Sequence, residues 1–224
     1  MTLKGMLFDL DGTLIDSGLD LANAYNLLRE ENDLEALPLS TLKPLVAYGI
    51  VPLICNHFNV EPGTESFKRY RDAFTRLYTQ HLTEHTIVFD GVTEMLNTLD
   101  DKDIPWGIVT NKPKRFALPI VEAFPTFAQS RCVIAGDTLS HAKPHPFPLQ
   151  HACEHLRTAP NQTGMVGDTE IDIQAGQRAG CDTFAVTYGY QHPDRIPTWN
   201  ATAIINHPEE LLPFLIEEHT HEQS

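Results

Sequence analysis

Four short motifs carry acids, a hydroxyl, an amide and a lysine in an order that suits phosphoryl transfer. Asp9-Leu10-Asp11-Gly12-Thr13 follows an apolar run at residues 6–8. Thr110-Asn111 follows Gly107-Ile108-Val109, and Lys143-Pro144 lies in a loop-like stretch. Gly167-Asp168-Thr169 follows Met165-Val166, with Asp172 four residues past Asp168. Lys143 apart, each motif begins where a strand-like run stops. In an open α/β sheet, ligands bind at the carboxyl ends of the strands, so these positions can converge on one crevice.

Breaking a phosphate monoester requires a nucleophile, a proton source for the leaving oxygen and positive charge on the phosphoryl oxygens. Asp9 can attack and form an aspartyl-phosphate. Asp11 can protonate the leaving oxygen and then take a proton from water. Gly12 allows a sharp turn whose amides face the phosphate. Thr110 offers a hydroxyl and Asn111 an amide. Lys143 can neutralise the phosphoryl oxygens and keep Asp9 ionised. If Thr169 opens a helix, Asp168 and Asp172 share one face. With Asp9 and Asp11 they form an oxygen-rich ligand set that suits Mg²⁺.

Other readings of these residues are weaker. An EF-hand loop from Asp9 needs Gly at its sixth position and Glu at its twelfth; here stand Leu14 and Asp20. Neither a Walker A sequence nor Gly-x-Gly-x-x-Gly occurs. His141 and His145 flank Lys143 and read as loop residues rather than metal ligands. Cys55, Cys132, Cys153 and Cys181 form no close pair and read as small, reduced core residues.

The elements that must position this chemistry alternate. Strand-like runs recur at residues 6–8, 106–109, 132–135, 165–166, 183–186 and 203–205. Helical spacing separates most of them, at 91–102, 115–124, 148–156 and 171–179. Pro208-Glu209-Glu210 reads as a further helix start. The alternation predicts a mostly parallel sheet covered by helices. Residues 17–86 differ: they show no strand pattern, and four helical stretches, at 19–31, 40–46, 50–58 and 64–82, are punctuated by prolines. The expected architecture is α/β, a Rossmann-like core at 1–16 and 87–224 with an all-helical cap at 17–86.

Size and charge narrow the partners. The 224 residues suffice for one core plus a small inserted domain. Sixteen Lys+Arg against 30 Asp+Glu give a net charge of −14, which disfavours nucleic acid. No apolar run approaches the roughly 18 residues of a membrane span, and no signal-peptide pattern precedes the first strand. The expectation is a cytoplasmic monomer or homodimer acting on a small phosphate ester.

The ordered motif set resembles the haloacid dehalogenase superfamily. That resemblance implies a Mg²⁺-dependent phosphatase with a mobile helical cap, in which Asp9 is the nucleophile, Asp11 the acid/base and Thr110 and Lys143 catalytic partners. Dehalogenases of the superfamily typically lack the second Asp, so Asp11 favours phosphate chemistry; a sugar phosphomutase is the alternative. The chain is most similar to the phosphoglycolate phosphatase-like branch. Three stretches, residues 107–116, 136–153 and 188–199, are similar to bacterial N-acetylmuramic acid 6-phosphate phosphatases of cell-wall recycling, whereas the cap matches that group least. The family's caps place a substrate-facing loop at Val46-Ala47-Tyr48-Gly49-Ile50, so Tyr48 and Gly49 join Gly12, Thr110 and Asn111 as expected substrate contacts, with packing in the cap core the alternative for Tyr48. The loop is neutral, and Lys43 is the nearest candidate for a substrate carboxylate. This favours a larger, partly neutral substrate, N-acetylmuramate 6-phosphate over 2-phosphoglycolate.

Overall fold

The structure, a computed structural model, describes residues 2–46 and 49–215. Six short strands form one sheet: β1 (Gly5–Phe8), β4 (Trp106–Val109), β5 (Val133–Ile134), β6 (Thr163–Gly167), β7 (Asp182–Val186) and β8 (Ala203–Ile205), in the order β5-β4-β1-β6-β7-β8. Every pairing is parallel. The strands read as apolar runs because helices cover both faces. Side chains of β1 alternate accordingly. Met6 and Phe8 join a core cluster on one face with Trp106 and Ile108, while Leu7 packs on the other with Leu149, Ala152 and Met165.

The chain leaves β1, adds β4 and β5 on one side, and then crosses to place β6 on the other. The strand order therefore reverses at β1, a switch point where such sheets open a crevice. Asp9, Thr110 and Asp168 each follow directly on the strands that meet there.

Four helices, α1 (Gly18–Glu30), α2 (Leu39–Val46), α3 (Ile50–Phe58) and α4 (Glu65–Gln80), lie between the first and second motifs. Thr64 caps α4 by accepting the Phe67 N–H at 3.2 Å. Phe67, Phe74, Leu77 and Tyr78 form its buried stripe. These helices bury their own cluster around Tyr25, Leu28, Leu53 and Phe74, which reaches the sheet layer through Phe116 and Tyr190.

Two elements here carry no sequence signal. β2 (Ile15–Asp16) and β3 (Ile87–Val88) pair antiparallel where the chain enters and leaves the four helices. Just beside them the buried Asp20 of α1 accepts the backbone N–H of His85 at 3.0 Å and the hydroxyl of Thr86 at 2.7 Å. The remaining helices, α5 (Val92–Asp101), α6 (Lys114–Ala123), α7 (Phe147–Leu156) and α8 (Glu170–Ala179), cover the sheet. The expected helix after Pro208 is instead a 3₁₀ helix, Pro208–Phe214. Pro213 supplies no N–H for an α-helical bond and its ring crowds the carbonyl four residues back. The His219 and His221 tail lies outside the described residues.

Candidate active site

The loop after β1 is tight. Gly12 donates its N–H to Ile15 O at 2.8 Å and adopts φ +82°. A side chain there would collide with the carboxylate of Asp168, so glycine is required by space as well as by conformation. The turn brings Asp9 and Asp11 to the crevice beneath α4.

Asp9, Asp168 and Asp172 come together, with one oxygen from each lying within 4.8 Å of the others, and all three are buried. The local route differs from the expected helical face. Asp168 precedes the helix, Thr169 is the N-cap of α8, and Asp172 is its third residue. Asp172 accepts the Thr169 N–H at 3.0 Å and its hydroxyl at 2.6 Å, a capping box that folds Asp172 back toward the strand end.

Lys143 is the counter-charge. Its ammonium lies 2.8 Å from Asp9, 2.6 Å from Asp172 and 2.6 Å from the carbonyl of Val109. Burial alone would lower its pKa, but Asp172 and Asp9 outweigh burial and raise it. Burial also pushes Asp9 up to about 6, with Asp172 and Asp11 adding to burial and Lys143 opposing it. Asp168 fares worse. Burial first, then Asp172 and Asp9, raise its carboxyl well above the usual range. Its Oδ2 accepts the Tyr190 N–H at 2.9 Å, whereas its Oδ1 is buried with no hydrogen-bond partner among the described residues. Three carboxylates against one lysine leave a negative excess, and one of the carboxylates keeps a buried oxygen without a partner among the described residues. An oxygen-seeking divalent cation fits that donor set.

Asp11, also expected in the metal set, keeps its carboxylate outside this cluster. Lys112 donates to both of its oxygens, at 2.9 and 3.1 Å, and Ser17 donates to one. The same ammonium donates to the Tyr78 hydroxyl of α4 at 2.8 Å. Burial would lower the Lys112 pKa, but Asp11 and Tyr78 outweigh it and raise it. Burial pushes Tyr78 up to about 12. Lys112 was not singled out from the sequence; its position directly after Thr110-Asn111 was the only available signal.

Thr110 is buried at the end of β4, and its hydroxyl accepts the Lys112 N–H at 3.1 Å. The Asn111 side chain exchanges hydrogen bonds with the backbone of Lys143, donating at 2.8 Å and accepting at 3.0 Å. Its amide thus fixes the lysine loop rather than standing free for a substrate. Gly49 lines the cleft at the start of α3, and Tyr48 lies outside the described residues. Lys43 is elsewhere, paired with Asp16 at 2.7 Å.

Above the acids opens a cleft of about 340 Å³ between the four helices and the sheet. Leu21, Ile50, Leu53, Phe74 and Phe116 form apolar walls, and Asp9, Asp11 and Lys143 form the floor. The cations that enter it from above come from α4 and α6, as Arg71 and Arg115, not from the loop before α3.

A parallel sheet with an aspartate at its switch point, a buried lysine and a cluster of three carboxylates is an arrangement suited to phosphoryl transfer. The chain belongs to the haloacid dehalogenase-like hydrolases, whose family model matches residues 6–186. It is a phosphoric monoester hydrolase of that family. It is 34% identical over 212 residues to an N-acetylmuramic acid 6-phosphate phosphatase of Pseudomonas putida, covering 94% of this chain and 95% of that one. It is 38% identical over 192 residues to a phosphoglycolate phosphatase of Chromobacterium violaceum, covering 84% and 86%. A crystal structure of a predicted phosphoglycolate phosphatase from Haemophilus somnus superposes with a TM-score of 0.83 at 28% identity, covering 95% of this chain and 97% of that one. No described helix is long and apolar enough to cross a membrane.

Proposed function

We propose that this enzyme hydrolyses N-acetylmuramate 6-phosphate through an aspartyl-phosphate on Asp9, with Mg²⁺ at Asp9, Asp168 and Asp172. The size and lining of the cleft carry the choice of substrate. About 340 Å³ with apolar walls suits a substituted sugar; sites for drug-sized ligands begin near ~300 Å³. A two-carbon acid would leave most of that space to water. The names of the Pseudomonas relatives support the same choice, and that of the Chromobacterium relative supports 2-phosphoglycolate as the second candidate.

In this mechanism Lys143, locked by Asn111 and the Val109 carbonyl, holds the Asp9 carboxylate ionised and faces the phosphoryl oxygens. Asp9 attacks phosphorus in line with the leaving oxygen. Asp11 delivers a proton to that oxygen and later takes one from the attacking water. Thr110 and the amides around Gly12 hold the phosphoryl group. A bound Mg²⁺ would neutralise charge on the phosphoryl oxygens. Residues 17–86 act as a cap that excludes bulk water and contacts the sugar.

Release of inorganic phosphate from N-acetylmuramate 6-phosphate, 2-phosphoglycolate and glucose 1-phosphate, followed with EDTA and with Mg²⁺, tests this reading. Phosphate release should require Mg²⁺ and be most efficient with the muramate ester. Undiminished turnover in EDTA would remove the metal, preference for phosphoglycolate would change the substrate, and isomerisation outpacing phosphate release would make the enzyme a mutase.

A further inference from the structure

Four cations line the cleft: Lys143, Lys112, Arg71 and Arg115. The two lysines are buried and committed, Lys143 to Asp9 and Asp172 and Lys112 to Asp11 and Tyr78. The two arginines are not. Arg71, on α4, pairs among the described residues only with Asp72, its neighbour in the chain, and both side chains are about half exposed. An exposed pair of this kind contributes between nothing and about 1 kcal/mol and yields readily to a better partner. Arg115, at the start of α6, lies over the Phe116 ring at 5.1 Å and forms no ion pair among the described residues. In a chain with 30 carboxylates and only 16 Lys and Arg, two guanidiniums without a committed acid beside an apolar cleft are notable. One comes from the helical segment and the other from the sheet layer, so an anion between them would bridge the two.

We propose that Arg71 and Arg115 form a carboxylate subsite that selects substrates bearing an acid group remote from the phosphate. This rests on the substrate reading above and assigns the residues that enforce it. N-acetylmuramate carries a lactyl ether carboxylate, which the otherwise matching N-acetylglucosamine lacks. With the phosphate at Asp9, the sugar ring and acetyl methyl face Leu21, Ile50 and Phe74, and the carboxylate meets the guanidinium forks. Arginine suits this task because its planar donors match a carboxylate two at a time. The subsite also supplies the cap cation that the neutral loop before α3 lacks.

The test compares kcat/KM for N-acetylmuramate 6-phosphate and N-acetylglucosamine 6-phosphate in the wild type, Arg71→Met and Arg115→Met. Methionine keeps an apolar stem and removes the charge. Arg76→Met serves as a control, since Arg76 sits on the outer face of α4 and pairs with Glu31. The wild type should favour the carboxylate-bearing sugar, and each cleft variant should lower that preference about tenfold, chiefly through KM. Arg76→Met should keep the wild-type ratio. An unchanged ratio in both cleft variants, or an equal decline on both sugars, would overturn the subsite alone. Failure of the wild type to hydrolyse either sugar would overturn the substrate reading and the subsite with it.

Discussion

Asp168→Asn should stabilise the metal-free protein while abolishing its chemistry. Asp168 is buried, has no lysine of its own, and shares a 4.8 Å cluster with Asp9 and Asp172. Two unit charges at that distance repel by about 3.5 kcal/mol at an effective dielectric of ~20, and Asp168 faces two of them. Lys143 and proton uptake by Asp9 and Asp168 offset much of this, leaving a net gain of about 2–3 kcal/mol on neutralising Asp168. The asparagine oxygen can still accept the Tyr190 N–H, and its NH₂ can donate to the neighbouring carboxylates from the place of the orphaned Oδ1. For a chain of this length ~1 kcal/mol moves Tm by about 2–4 °C, so the variant should melt about 4–12 °C higher in EDTA. With Mg²⁺ at a hundred times its Kd the wild type should regain about 2.7 kcal/mol and the variant much less, so the order of the two melting curves converges or reverses. The difference should depend on pH. Asp9 rises from its ordinary 3.8 to about 6 in the folded state. The folded state then binds the proton more tightly, so stability is present below pH 3.8 and lost as pH rises through 6, by about 3 kcal/mol in total. That loss is common to both proteins. The gap between them in EDTA follows Asp168, whose carboxyl is held well above the usual range by burial and then by Asp172 and Asp9. The stability its proton supplies to the wild type is lost, and the gap widens, as pH rises. An equal or lower Tm for Asp168→Asn in EDTA at pH 7 would refute the charge argument.

Two further outcomes follow from the floor of the cleft. Asp9→Asn should remove nearly all turnover, whereas Asp11→Asn should cost roughly 10²–10⁴-fold with a poor leaving group and less with an activated aryl phosphate; steady-state rates on both esters check this, and substantial activity in Asp9→Asn would exclude the covalent route. Lys112→Met should lower kcat by about 10²-fold with little change in KM, because it releases Asp11 from its bidentate hold; a rise in KM alone would make Lys112 a substrate contact instead.

Much of the core could be read from the chain because its signals are local. Apolar runs stop at Phe8, Val109 and Gly167, and each stop is followed by a residue whose chemistry needs the strand end. Thr169 and Asp172 announce a capped helix. What escaped depends on distance. Ile15–Asp16 and Ile87–Val88 are two-residue strands, too short for alternation to register, and each exists only because the other lies opposite. Lys112 gains its place from Tyr78 of α4 and from Asp11, partners 34 and 101 residues away that no local pattern brings to it. Arg71 sits among other charged residues on a helix that presents several outward, and nothing in the spacing tells which one turns to the cleft. Asn111 was read by its chemistry alone, without the loop that claims its amide.

The central place of β1 has a consequence during synthesis. The strand that ends before Asp9 leaves the ribosome well ahead of both of its partners, Trp106–Val109 and Thr163–Gly167. At about 5–20 residues per second, the first of these edges stays open for about 5–20 s. Pairings so remote along the chain form slowly. Meanwhile the helices of residues 18–80 can form from local contacts. The growing chain thus carries a folded helical knot beside an unpaired apolar strand, Gly5–Phe8, whose exposure ends only when β4 and β6 close on it from either side.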